Sequence, residues 1–435
     1  MKKTIRIGIN AQIFQGSGTS SLETVLRVLT AVGKLEGDEE YVFIVPPSDS
    51  NWLKSFLGER QTIVHFPTQT APVNKKLETA KRIMKPLLPM ARAVKNLVSA
   101  PPKNDYKVPV SNGFYESLNC DVIHFPDPEY AYCGLPTVYN PHDLQHLHFP
   151  QFFTPEVIRK RDILYPAACR AARIVVVASQ FIKQDLIEKY EIEAEKIQVV
   201  PWSPPEIAAA EFNENAVAAV LKKYQCPPRP FMLYPAMTWE HKNHLRLLEA
   251  IALLRERDNL TVNLICTGFK HPFYSNIERR SDELKLEKQV KFTGIVSIEE
   301  LNLLYRSAEF VIIPTLFEAA SAPLFEAWQH DVAVACSSVT SLPEQAADAA
   351  LLFDPLSIGE IADTIKKMLS SENLRIDLRQ RGQRRLADFN LERTAKAYRA
   401  VYRKAAGVQL SEEDRYLLNW DWMRDSERKS NNEIK

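Results

Sequence analysis

Residues 310–327 read F-V-I-I-P-T-L-F-E-A-A-S-A-P-L-F-E-A, and the order of their parts decides the fold. The continuous apolar run Phe310–Pro314 predicts a strand buried on both faces. A short turn follows, and Pro323 suits the first turn of a new helix, where a missing N–H is no loss. Strand, tight turn and helix in this order make one β-α unit of a parallel sheet. Ligands of open α/β sheets bind beyond the carboxyl ends of the strands, so this turn is where chemistry is expected. Glu318 lies in it, and Glu326 follows eight positions later, in the first turn of the helix. The free amides of residues 319–323 are placed to receive a phosphate, because a helix N-terminus carries partial positive charge. Spacing alone leaves a surface-helix reading open for the two glutamates.

The same unit recurs outward in both directions. Upstream, Ile5–Asn10, Tyr41–Val45, Thr62–Phe66, Asp121–Phe125, Thr137–Asn140, Arg173–Ala178 and Gln198–Pro201 read as strands. In the second half, Phe231–Ala236, Val262–Gly268, Val290–Gly294, Val332–Cys336 and Leu351–Asp354 join Phe310–Pro314. Helical stripes lie between them, such as Leu22, Val25, Leu26 and Leu29, or Leu247, Leu248, Ile251 and Leu254. The alternation predicts two doubly wound α/β domains with right-handed crossovers. The proline-rich stretch 202–230 is the expected linker, giving an N-terminal domain over 1–205, a C-terminal domain over 206–390, and a helix and tail over 391–435.

Bulk composition bounds the function. At 435 residues, with 45% hydrophobic and 25% charged residues, the chain fits two soluble domains. Lys plus Arg (55) nearly balances Asp plus Glu (54), which gives no basis for a nucleic-acid partner. Arg6 and Asn10 interrupt the apolar start, so no signal peptide is expected. The six cysteines stand singly, without metal-ligand or disulfide spacing. Cytoplasmic residence follows as the expectation. A basic insertion over 72–118 breaks the alternation; within it, 72–103 carries eight Lys and Arg among apolar residues and one acid, Glu78. Such a segment can rest on an anionic membrane at its inner face or cover a sheet edge as a solvated insertion.

Glu318, seven residues and Glu326, with Pro323 between, resemble the E-x7-E signature of family 4 glycosyltransferases. Four further segments are similar to that family in the same order: H-D-L-Q-H-L-H-F-P-Q-F-F (142–153), V-A-S-Q-F-I-K-Q-D-L (177–186), Y-P-A-M-T-W-E-H-K-N-H (234–244) and C-S-S-V-T-S-L-P-E-Q-A-A-D-A-A-L-L-F-D-P (336–355). The first 130 residues resemble the family only in outline. The resemblance implies the GT-B fold: two facing Rossmann-like domains, with the C-terminal helix crossing back to the first. It also implies retaining transfer of a hexosyl group from a GDP-, UDP- or dTDP-sugar to a glycan or lipid-linked acceptor, with no metal or other cofactor. Lys242 then meets the donor diphosphate, Glu318 the transferred sugar and Glu326 the ribose, while His142 is a polar contact near the reacting carbon. Ala319, Ala320, Ser321 and Ala322 form the donor loop, and Gly16 and Gly18 a glycine turn approaching donor or acceptor.

Three positions depart from the family. Ala319 and Ser321 stand where glycines are usual, and Ala236 stands six residues before Lys242 where an arginine is common. His241 or Arg246 is left to replace that cation. These departures keep a non-catalytic sugar-nucleotide-binding or scaffold protein open as the alternative, beside a GT-B epimerase.

Overall fold

The computed structural model describes residues 4–12, 20–47, 51–54, 57–67, 106–204 and 213–422. Two parallel sheets carry it. In the first, β1 (Arg6–Asn10), β2 (Glu40–Val45), β3 (Gln61–His65), β4 (Val122–Phe125), β5 (Thr137–Tyr139), β6 (Ile174–Val177) and β7 (Ile197–Val199) lie in the order 3-2-1-4-5-6-7. In the second, β8 (Met232–Pro235), β9 (Leu264–Thr267), β10 (Val290–Gly294), β11 (Phe310–Ile313), β12 (Val334–Ser337) and β13 (Leu351–Phe353) lie in the order 10-9-8-11-12-13. Each order reverses beside its first strand, between β1 and β4 and between β8 and β11. Those two reversals open the crevices where such sheets bind ligands. The strand sequences explain the burial: I-V-V-V in β6 and F-V-I-I in β11 are covered along their whole length, as strands sandwiched between helices must be.

The chain crosses back after the second sheet. Helix Leu391–Ala405 packs on helix Ser20–Val32 and on β5, placing Ala395, Tyr398, Val401 and Tyr402 in the first domain's core. Buried polar groups fix its register: His124 Nδ1 meets the Tyr402 hydroxyl at 2.9 Å, and Asn140 donates to the Tyr398 hydroxyl at 3.2 Å. Desolvation holds the His124 imidazole down at about 4, so it is neutral at ordinary pH.

The stretch 202–230 is more than a linker. Helix Glu214–Lys223, capped by Asn213, occupies its middle and buries Val217 and Val220 against the second domain. Tyr224 and Lys223 then bond Glu300 at 2.8 and 2.6 Å. Prolines on both sides concealed a stripe only two turns long. The basic segment 72–103 and the Gly16–Gly18 turn lie outside the described residues. No helix among the described residues is long and apolar enough to cross a membrane.

Candidate active site

A cleft of about 500 Å³ separates the carboxyl edges of the two sheets. Lys242, Glu318, Glu326, Ala319, Ala320, Ala322 and His142 all line it. Ser321 does not: it is fully buried, and its hydroxyl has no hydrogen-bond partner among the described residues. Gly16 and Gly18 are outside the described residues.

Lys242 closes a short 3-10 turn, Glu240–Lys242, after β8. Its carbonyl accepts from the Tyr234 hydroxyl at 2.8 Å. The next residue, Asn243, takes a left-handed conformation (φ 62°), and its buried side-chain amide donates to the Pro314 and Pro355 carbonyls at 2.9 and 2.8 Å. Asparagine tolerates that backbone region better than most residues, and here its side chain also clamps β8's loop to those of β11 and β13. With the backbone so fixed, Lys242 Nζ reaches Glu318 Oε1 at 2.5 Å. Both side chains are largely shielded, at 19% and 11% exposure, which strengthens the pairing relative to a surface ion pair.

The loop after β11 is fastened from a distance. Glu318 N donates to Thr340 Oγ1 at 3.0 Å, Ser341 Oγ donates to the Glu318 carbonyl at 2.9 Å, and Ser321 N donates to Gln345 Oε1 at 3.0 Å. The Ser321 amide is therefore engaged and Pro323 has none, so the amides of Ala319, Ala320 and Ala322 are the ones left to meet an anion. This corrects the expectation of free amides throughout 319–323. The helix begins at Ala322, which puts Glu326 in its second turn instead of its first. Glu326 Oε2 accepts from the Tyr305 hydroxyl at 2.6 Å. Burial pushes the Glu326 carboxyl up, opposed by that hydroxyl and by the Arg27 charge across the cleft.

Neither candidate replacement for the missing arginine supplies a cation at the cleft. Arg246 is bonded to Asn243 Oδ1 at 3.0 Å and is absent from the cleft lining. His241 lines the cleft, but burial first and the Lys242 charge second hold it well below its ordinary value, so it is neutral. Gly268 faces the same loop with φ +117°, and a Cβ there would sit 2.8 Å from the Ala236 carbonyl carbon and 2.9 Å from Met237 N. Both obstacles are backbone. Gly268→Ala is expected to cost at least about 2 kcal/mol through strain and clash, read as a lower melting temperature with weakened nucleotide binding; an unshifted melting curve would contradict this geometry.

His142 comes from the first domain with φ +64°, an uncommon region for a bulky residue. Asp143 holds it there: its N–H closes on the Pro141 carbonyl at 2.9 Å, and its carboxylate accepts from Gln145 N at 3.0 Å and Arg161 at 3.2 Å. Asp143 thus fixes the turn. Desolvation pushes the His142 imidazole down to about 4, outweighing the nearby Asp143 charge and the Pro126 carbonyl. At neutral pH it is an uncharged polar group. His146 and His148 serve structure: the first meets the Tyr190 hydroxyl at 3.2 Å, the second Asp185 at 2.6 Å.

Sequence reasoning assigned no role to the groups that join the two domains here. Phe317, directly before Glu318, is seated among His148, Phe149 and Phe181 of the first domain at ring separations of 5.6, 6.3 and 6.1 Å. Glu344 reaches across to accept from Gln180 N at 3.1 Å and Phe181 N at 3.3 Å, at the open end of helix Gln180–Tyr190. A carboxylate there satisfies amides that the helix itself cannot. Burial nevertheless pushes Glu344 up to about 7, against those amides, Ser179 and Arg385. A raised carboxyl means the contact binds its proton more tightly than the separated domains do. That share of stability is complete below the unperturbed 4.5 and is lost as pH rises through about 7. Glu344→Gln should flatten the decline of melting temperature between about pH 5 and 8; equal slopes in both proteins would count against the assignment.

Architecture and cleft together define a two-domain GT-B protein. Anabaena HepE, solved in complex with UDP and glucose, superposes with a TM-score of 0.65 at 14% identity, over 92% of this chain and 100% of that one. Two family models match in sequence, Glycosyltransferase Family 4 over residues 85–202 and Glycosyl transferases group 1 over residues 222–385. The chain belongs to the family 4 glycosyltransferases. Among curated relatives, O-antigen chain mannosyltransferase B of Escherichia coli is 28% identical over 277 residues, 60% of this chain and 69% of that one. The serotype-specific mannosyltransferase WbdA of Escherichia coli is 25% identical over 227 residues, 52% of this chain but only 28% of its own length.

Proposed function

We infer that this glycosyltransferase moves a hexosyl group from a nucleotide-diphosphate sugar to a glycan or lipid-linked acceptor, with retention and without a metal ion. The observation that carries the reading is the Lys242–Glu318 pair in the cleft, beside the amides of Ala319, Ala320 and Ala322. When the glycosyl bond breaks, negative charge grows on the leaving diphosphate and positive charge on the sugar carbon. A fixed ammonium and oriented amides stabilise the first without reorganising. Glu318 lies on the side of the sugar, where its carboxylate can accept hydroxyl hydrogen bonds and favour the cationic carbon. Glu326 keeps lone pairs beyond its bond to Tyr305 for ribose hydroxyls. The two carboxylates are engaged by Lys242 and Tyr305, an arrangement suited to organic hydroxyls and a cationic diphosphate site.

The relatives named as mannosyltransferases make mannosyl the first sugar to test, with GDP- and dTDP-linked donors ahead of UDP-linked ones. His142, neutral above about pH 4, offers a hydrogen bond to the sugar and no charge. Acceptor-dependent release of nucleoside diphosphate across a donor panel, with the product anomer assigned by NMR, tests the whole reading. Donor binding that never yields an elongated acceptor would leave a binding protein instead; an inverted anomer would remove retention.

A further inference from the structure

Glu326 reaches the donor cleft with one of its two oxygens already engaged. Tyr305, in the last turn of helix Ile298–Ser307, donates its hydroxyl to Glu326 Oε2 at 2.6 Å. Tyr305 is 1% exposed and absent from the cleft lining, so it can act on a ligand only through that carboxylate. Its ring is fixed in turn. It lies nearly parallel to the His330 ring, at 5.1 Å and 16°. His330 Nε2 meets Asn302 Oδ1 at 3.2 Å, and His330 N donates to the Glu326 carbonyl at 3.1 Å. Burial first, then Arg306, pushes the His330 imidazole down to about 4, so it brings no charge to the group at neutral pH. Two helices are thereby tied together around one carboxylate.

We propose that Tyr305 is a positioning residue that aims Glu326 at a ribose, and that the aimed carboxylate selects donors carrying a 2′-hydroxyl. The inference rests on the ribose contact in the reading above and narrows its donor to ribonucleoside diphosphate sugars. An ionised carboxylate accepts about four hydrogen bonds. Tyr305 fills one and orders the group before any ligand arrives, so neighbouring ribose hydroxyls meet the others at a lower entropic cost. A 2′-deoxyribose brings one donor fewer, and a shielded carboxylate left short of a donor is costly. Of the donors named above, dTDP-linked sugars lack that oxygen and fall last. The same bond governs when the carboxylate is charged. Burial pushes the Glu326 carboxyl up, while Tyr305 and then Arg27, of helix Ser20–Val32, hold it down. Without the Tyr305 hydroxyl it rises further, and nucleotide binding fails sooner as pH falls.

Calorimetry on the full chain compares GDP with 2′-deoxy-GDP and UDP with 2′-deoxy-UDP, pairs that each differ by one oxygen atom. The ribonucleotide should bind at least about tenfold more tightly than its partner. Tyr305→Phe keeps the ring and removes only the hydroxyl. It should shrink that ratio to within about threefold and raise donor KM about tenfold with kcat nearly unchanged. The acid limb of nucleotide binding should move to higher pH, a change that altered packing alone would not produce. Glu326→Gln should flatten the same limb. Equal affinity for ribose and deoxyribose in the unaltered protein, a measurement that needs no variant, overturns the proposal while leaving the nucleotide site standing. A folded Tyr305→Phe protein with parental ratio and acid limb overturns it too. If none of the four nucleotides binds, the site falls and this inference with it. Discrimination without transfer would keep the ribose selection and reject the transferase.

Discussion

Lys242→Ala is expected to lower kcat by about 10²- to 10³-fold while the protein keeps its fold. The backbone at this position does not depend on the ammonium. Lys242 N is bonded to the Trp239 carbonyl, its own carbonyl to Tyr234, and Asn243 ties the loop to two proline carbonyls. The truncation removes the partner of Glu318 and, on the proposed reading, the fixed cation that faces the leaving diphosphate. The orphaned carboxylate then faces an anionic leaving group in a shielded site, so part of the loss is repulsion newly created. A second substitution separates the two effects. Adding Glu318→Gln to Lys242→Ala should recover part of the lost rate, because groups in direct contact do not act additively. Nucleoside diphosphate release at saturating donor, alongside thermal melting, measures both. A Lys242→Ala protein that turns over within about threefold of the parent would remove Lys242 from the chemistry.

The sequence displayed the sheets because each strand advertises itself locally. Runs such as Ile174–Val177 and Phe310–Ile313 are apolar without interruption, and nothing but burial on both faces accommodates them. Glu318 and Glu326 stand on one strand–turn–helix unit, but their spacing alone left a surface helix open, and it was the E-x7-E resemblance that singled them out. What escaped was long-range. Thr340, Ser341 and Gln345 hold the donor loop over separations of 22 to 24 residues. Glu344 touches Gln180 across 164 residues. No periodicity encodes which hydroxyl will meet which amide once two sheets are assembled. The left-handed backbone of His142 was hidden too, since histidine carries no local signal for it and the turn made by Pro141 and Asp143 imposes it. Helix Glu214–Lys223 was hidden by composition, its two buried valines outvoted by five prolines nearby.

Phe317→Ala should separate the domains without disarming either. A fully buried phenylalanine cut to alanine typically costs about 3–5 kcal/mol, as lost contact plus the cavity left behind. In a continuous core that penalty falls on global folding. Here the ring belongs to one domain and its partners His148, Phe149 and Phe181 to the other, so the chain can relieve the void by letting the cleft open. The cost then appears in the closed population. Glu318 should stay in place, because Thr315 Oγ1 holds the Phe317 carbonyl at 3.0 Å while Thr340 and Ser341 hold Glu318 itself. On the proposed reading closure excludes water and holds His142 at the donor side, so kcat should fall by about 10- to 100-fold. Nucleotide affinity, which the proposed reading assigns to the second domain's own residues, should change far less. Small-angle scattering should show a larger radius of gyration for the free variant. Adding Glu344→Gln should lower kcat by less than the product of the single effects, since both contacts secure one interface. If scattering and kcat both stay at parental values, Phe317 is packing alone, and closure must be held by other contacts.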